Sequence, residues 1–333
     1  MIQKSPYGRL ARVLQSDFVG PLGALLLISL FLAITTPNFL AAQNFRNISL
    51  QVSVLSILAI GSTVVILAGG IDLSPGSMIA VLTMSLAVFV KLNGLPLWLG
   101  IVLTLLVGAG LGAFNGFLVA YLRIPAFIVT LATLSGFKGI ALTIGPGSPI
   151  FQLSEGLRQI FYGTLFGVPL PFVYVVGLYV AAFIVLEHTK LGREIYAIGG
   201  NSSASALSGI NVRRVQFLTF VLAGAMYSIG AVLLAARLNS GSPNYGNQVE
   251  LQAIAAAVVG GASLYGGRGR IVNSLFGALI IVVVQNGLNL NNVSTSMQSL
   301  TIGGIIVIAV GLDIWGRTIR GWLRRTSTSR AAA

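Results

Sequence analysis

Residues 48–92 read ISLQVSVLSILAIGSTVVILAGGIDLSPGSMIAVLTMSLAVFVKL. Two predominantly apolar runs, 48–67 and 75–92, flank a short polar break, and Lys91 is the one charge within the two runs. Each run is close to the ~20 residues a helix needs to cross a hydrocarbon core ~30 Å thick. The break, Gly69-Gly70-Ile71-Asp72-Leu73-Ser74-Pro75-Gly76-Ser77, has its own local logic. Gly69 and Gly70 end the first helix. Ser74 before Pro75 reads as an N-cap followed by proline at the first helical position. The stretch is therefore two membrane helices joined by a turn.

The same pattern recurs outward in both directions. Further spans are predicted at about 19–36, 97–122, 125–144, 172–186, 215–236, 251–264, 273–288 and 300–315, which makes about ten. The eighth and ninth are interrupted by glycine and polar residues between Gly260 and Gly269. The 19–36 segment follows basic residues Lys4, Arg9 and Arg12, as a signal peptide would. It is long, though, ends in Thr-Thr-Pro instead of a small-residue cleavage site, and is followed by many more spans, so it reads as a retained helix. The fold class is all-α and polytopic.

Composition agrees. Of 333 residues, 55% are hydrophobic and 8% charged, against roughly 25% charged in an ordinary soluble domain. Mean hydropathy is +0.91. That excludes a soluble enzyme or a nucleic-acid binder, in spite of a net charge of +13 and a pI near 10.8. With no cysteine and a single histidine, His188, thiolate chemistry and histidine metal clusters are excluded as well. The basic residues are topology signals. With the N-terminus inside, 15 fall on the inner side (Lys4, Arg9, Arg12, Arg123, Lys190, Arg193, Arg213, Arg214, Arg268, Arg270, Arg317, Arg320, Arg324, Arg325, Arg330) and 4 outside (Arg46, Lys91, Arg158, Arg237). Both termini are thus expected in the cytoplasm, with Trp315 and Trp322 at the last inner boundary.

Candidate functional residues are sparse. Asp72 is either the cap of the following helix or a membrane ion or proton site, and the Gly and Pro around it favour the cap. A Gly-rich echo, Gly260-Gly261-Ala262-Ser263-Leu264 through Gly269, shares Gly-Gly-x-x-Leu with Gly69 to Leu73 and hints at an internal duplication. No phosphate-loop pattern occurs in the chain. In the inner loop, Asn201 and Gly209 bracket a short helix of small residues with Leu207, either a docking element for another protein or a plain connector. Asn115, Gln285, Asn286 and Asn289 carry amides on span faces. They are open to two uses, contact with sugar hydroxyls or helix-to-helix hydrogen bonds. His188, beside Glu187 and Lys190 at the inner boundary, reads as solvated. No acid–base pair or nucleophile–base set is visible.

Several stretches together resemble the ribose-type permeases of ATP-binding-cassette (ABC) importers. They are Gly69 to Ser77, Pro125-Ala126-Phe127-Ile128-Val129-Thr130-Leu131, Tyr196-Ala197-Ile198-Gly199-Gly200-Asn201, Leu207-Ser208-Gly209-Ile210-Asn211-Val212, Glu250 to Ala256, Gly260 to Gly269, and Asn286-Gly287-Leu288-Asn289. The likeness runs in one register from about Pro37 to Gly311. Gln252 stands where the family has Asp, and Tyr265 is bulkier than usual. An acid missing near the outer mouth bears on docking of the binding protein. The resemblance implies a type II importer permease in the bacterial inner membrane, divided into a cytoplasmic segment (1–18), a transmembrane permease domain (19–316) and a basic tail (317–333). It implies sugar uptake with no catalytic residue, metal or cofactor on this chain, and ATP consumed by a partner. The implied partners are a second permease copy or paralogue, two cytoplasmic ATPase copies, a periplasmic or lipid-anchored sugar-binding protein and membrane lipid, with no nucleic acid. Gly199, Gly200, Asn201, Ser205, Leu207, Ser208 and Gly209 would couple to the ATPase. Asn115, Gln285, Asn286 and Asn289 would line the path, and Gly70, Asp72, Ser74 and Gly76 would form a structural motif. The competing class, an ion-coupled secondary sugar transporter, needs a buried ionisable relay. Asp72, Glu187, Glu250 and Asp313 all lie at span ends, which argues against one.

Overall fold

A computed structural model describes residues 18–311. Its frame is helical: α1 (Val19–Thr35), α2 (Ala42–Leu67), α3 (Pro75–Ala87, widening into a π-turn at Val88–Leu92), α4 (Leu97–Ala120), α5 (Ala126–Thr143), α6 (Glu155–Tyr162), α7 (Leu170–Phe183, with a second π-turn at Ile184–His188), α8 (Lys190–Gly200), α9 (Ser202–Leu207), α10 (Val212–Leu238), α11 (Val249–Val259), α12 (Ile271–Leu290) and α13 (Thr295–Gly311). Seven are long and apolar enough to cross a membrane, and α1, α11 and α13 are shorter apolar helices. Arg123, α8, α9 and the turns around Gly69 and Gly266 gather at one end of the bundle, called here the basic end.

Helices α2 and α3 form the centre. Every residue from Val52 to Leu67 and from Pro75 to Ala87 is buried. Lipid gives no hydrophobic drive between helices, so close backbone approach has to supply the packing. The tightest seam, between α4 and α10, shows how. Gly108, Gly112 and Gly116 stand one turn apart and lie against Ser228, Phe220, Phe217 and Gly224, where a side chain on Gly112 would strike the Phe220 carbonyl. A four-residue glycine spacing puts all three on one helix face.

The far end is closed by the segment between α5 and α7. It contains α6 and β1 (Ile150–Phe151), which pairs antiparallel with β4 (Ser240–Gly241) from beyond α10, and β2 (Thr164–Leu165) pairs with β3 (Val168–Pro169). The amphipathic α6, with Leu157 and Phe161 buried, was not expected from the apolar runs. Neither was α8, whose buried residues are Gly192, Ile195 and Ile198. Both are short helices at the rim, too polar to register as spans.

The eighth span differs from its expected form. Where a helix over 251–264 is expected, the helix begins slightly earlier, at Val249, and ends at Val259, and it is preceded by β4 and a run of turns over 243–248. Gly241 lies against the Thr83 carbonyl and Ala87, and Gly246 against Gly76, so this stretch descends alongside α3. Gly241, Pro243, Gly246 and the left-handed Gln248 (φ 63°) keep the stretch from coiling. The other long helices lie within a turn or two of their expected bounds; α2 starts early, at Ala42, because Asn44 is buried by protein. The 1–17 segment and the tail from residue 312, which include Trp315, Trp322 and the basic cluster, lie outside the described residues.

Candidate functional site

Two interrupted spans meet inside the bundle. Span three is non-helical from Gly70 to Ser74 before α3 begins, and span eight runs as turns from Pro243 to Gln248 before α11 begins. The helices start from opposite sides, and their first turns touch, with Gly76 against Gly246 and the Glu250 carboxylate. Only glycine at 76 and 246 allows backbones this close. Discontinuous helices of this kind are the usual frame of a transport site.

The turn before α3 is held by a buried polar knot. One oxygen of Asp72, a residue only 2% exposed, accepts from the Ser74 backbone N–H (2.8 Å) and the Ser74 hydroxyl (2.6 Å). The Tyr227 hydroxyl from α10 faces the same carboxylate. Asn115 donates its amide N–H to Ser74 Oγ (2.9 Å), which ties in α4. Ser74 occupies the N-cap position with Pro75 behind it, but its hydroxyl serves Asp72 and makes no capping bond. Asp72 thus holds the helix start, and Gly70 closes the end of α2 by donating its N–H to Val65 (3.0 Å).

The four amides do not share one surface. Asn115 is fully buried beside Ser74. Asn286 is buried against Asn44 of α2, each amide donating to the other (2.9 and 2.8 Å). Gln285 is half-buried, and Asn289 is exposed and accepts from Gln298 (2.8 Å). Asn44 and Tyr227 gave no local signal, because their partners lie far away in the chain. Lys138, on α5, donates to the Pro243 carbonyl (2.5 Å) and to Asn244 Oδ1 (3.2 Å), and so reaches the turns that precede α11.

At the basic end, three Gly-rich segments cross. Gly199 packs against the Leu67 carbonyl and Gly267, and Gly266 against Gly199 and Gly69. Gly267 donates its N–H to Leu67 (2.9 Å). The two similar Gly-Gly segments are thus neighbours in space: Gly70 leads into an interrupted span, while the 260–270 turn leads into the unbroken α12. Tyr196 donates to the Gly269 carbonyl (3.0 Å). Burial, with Glu187 nearby, pushes its hydroxyl up to about 12, so it stays protonated and able to donate.

Helix α9 hangs from this crossing. Asn201 caps it by accepting from the Ala204 N–H (2.9 Å), as its sequence pattern predicts, and Gly209 (φ 85°) ends it. Ser205 is buried, while Leu207 is 91% exposed. Beside α9, a cleft of about 680 Å³ opens between α2, α4, α5 and α10, with Arg123 and Arg213 among its walls. His188 packs edge-on against Phe183. Among the described residues no cluster of His, Asp or Glu could hold a metal ion.

The geometry is that of a membrane bundle with interrupted helices within and a protruding apolar contact at one end. Residues 44–310 match the family described as branched-chain amino acid transport system, permease component. The chain is 42% identical over 298 residues to the ribose import permease protein RbsC of Escherichia coli K12, covering 87% of this chain and 91% of that one. It is 41% identical to RbsC of Bacillus subtilis 168, covering 89% and 92%. It is 34% identical to the xylose transport system permease protein XylH of Escherichia coli K12, covering 88% and 90%. No solved structure matches it.

Proposed function

The chain belongs to the family of branched-chain amino acid transport system permease components, and from that premise we propose that it is the membrane subunit through which an ABC importer brings a ribose-type sugar into the cytoplasm. The observation that carries this reading is the 42% identity to a ribose import permease along 87% of the chain. It is a multi-pass protein of the cytoplasmic membrane and a transporter component, not an enzyme. An ATPase and a solute-binding protein are its partners. In finer detail, the chain crosses the membrane ten times with both termini inside, pairs with a second copy or a paralogue, and carries two ATPase copies at the basic end. The 15-to-4 charge bias supports this orientation.

Helix α9 is the coupling element. Leu207 offers an apolar side chain to a partner's groove, and Asn201, Ser205, Ser208 and Gly209 fix the helix that presents it. Gly199 and Gly200 attach that helix to the crossing, so a push on α9 reaches the end of α2 and the turn before α3. Gln285 and Asn289 border the outer mouth at the far end of α12. Asn115 and Asn286 hold the walls behind it, and Gly70, Asp72, Ser74 and Gly76 keep the interrupted span in shape.

The test is uptake in proteoliposomes with ATP inside, with and without the ATPase. ATP-dependent sugar uptake that needs the ATPase is expected. Leu207→Asp should abolish uptake and release the ATPase while leaving membrane insertion intact, since the side chain is exposed in this chain alone and a charge buried unpaired in a groove costs several kcal/mol. Uptake by this chain alone, driven by a proton or sodium gradient, would replace the importer reading with the secondary-transporter one.

A further inference from the structure

The irregular stretch 240–248, a two-residue strand followed by turns, is costly where it lies. Beside α3, it places Asn244, Asn247 and Gln248 on the protein surface at membrane depth, with their side chains exposed, although Gln248 Oε1 accepts from the Ser299 hydroxyl of α13 (3.1 Å). Hydrocarbon does not accept irregular backbone and exposed amides. Such chain persists at this depth only where protein buries it or where it borders water. Lys138 sharpens the point, because its ammonium group is held on the same stretch by the Pro243 carbonyl and Asn244. An intramembrane charge belongs beside a polar cavity. The adjoining face of α5 carries Ser135 and Gly139, both exposed, with open space where a side chain on Gly139 would stand. Small residues there leave room for a solute.

We propose that residues 243–248 form a wall of the solute path, and that Asn244, Asn247 and Gln248 present their amides to the hydroxyls of a polyhydroxylated solute. This rests on the permease reading and assigns its contact residues. A carboxamide donates and accepts at once, as a hydroxyl does. Neutral bonds of this kind hold the solute weakly enough for it to leave again, which conduction requires. Lys138 is a positioning residue: it fixes Asn244 through the oxygen it bonds, and its own charge is taken up by two oxygens.

The cysteine-free sequence permits a direct test in the complete transporter, with its ATPase and binding protein present. Asn247→Cys and Asn244→Cys should react with an impermeant methanethiosulfonate reagent in the nucleotide-free or the vanadate-trapped state, and the reaction should block uptake. Leu27→Cys, on the exposed face of α1, should remain unreactive. Gln248→Ala should raise KM for uptake about five- to tenfold, the size of one lost hydrogen bond, with stimulation of the ATPase by loaded binding protein unchanged. Gln248→Asn, which keeps the amide, should recover part of the loss. Two outcomes overturn the proposal: both cysteines unreactive in both states while the unmodified complex imports sugar, or unchanged KM in Gln248→Ala. Failure of the unmodified complex to import sugar with ATP would instead overturn the permease reading, so the two failures are distinguishable.

Discussion

Asn44 and Asn286 are 242 residues apart in the chain, yet their side-chain amides pair in both directions between α2 and α12. Asn44 also donates to the Phe39 carbonyl (2.9 Å), so its nitrogen is doubly used. Removing Asn286 alone strands the Asn44 oxygen in a dry interior, which costs about 1–3 kcal/mol. Asn286→Leu is therefore expected to lower the thermal unfolding temperature of the purified protein, and Asn44→Leu with Asn286→Leu to recover part of the loss. A double-mutant cycle should give a coupling of about 1 kcal/mol, the scale measured for hydrogen bonds between membrane helices. Additive effects would mean that the pair does not act as a unit. Lower uptake with unchanged stability in Asn286→Leu would return that residue to the path.

The crossing at the basic end makes a prediction about elements, since it joins α8 and α9 to the end of α2. Gly199 and Gly200 are adjacent in the chain but not equivalent. A side chain on Gly199 runs into the Leu67 carbonyl and Gly267, whereas one on Gly200 meets open space. Gly199→Ala should cost about 1–3 kcal/mol through overpacking against backbone that cannot yield, and it should reduce ATP-driven uptake more than it reduces membrane levels. Gly200→Ala, at the last residue of α8, should be neutral or slightly stabilising. Equal losses in the two variants, measured as uptake per membrane-inserted molecule, would show that the crossing carries no motion. The Tyr196 bond to Gly269 ties the same elements. With the hydroxyl pushed up to about 12, the bond is insensitive to pH through the physiological range, and what it contributes fades only as pH rises above the ordinary tyrosine value toward 12.

For the whole molecule the question is which end faces the cytoplasm. Ser148, in the exposed segment before β1, and Ser203, on α9, mark opposite ends of the bundle. With no native cysteine, Ser148→Cys should react with an impermeant thiol reagent in intact cells, and Ser203→Cys only after lysis. Labelling of position 203 in intact cells would invert the orientation and separate α9 from any cytoplasmic ATPase.

The spans were legible because a bilayer imposes a local rule. Each crossing has to satisfy its own backbone and bury apolar side chains along its whole length, so a run such as 97–122 marks itself within twenty-odd residues. The Gly-Gly and Ser-Pro punctuation before α3 and the Asn201 cap are equally local, and the family likeness rests on such strings. The partnership of Asn44 with Asn286, the meeting of Gly69, Gly199 and Gly266, and the hold of Lys138 on Pro243 were decided only in the tertiary structure. Each joins segments whose separation leaves no periodic trace. The eighth span shows the boundary most clearly. Its helix announced itself by composition, but the irregular turns before it did not, because backbone at membrane depth can go without a helix only when a neighbouring surface, here α3, is already in place to receive it.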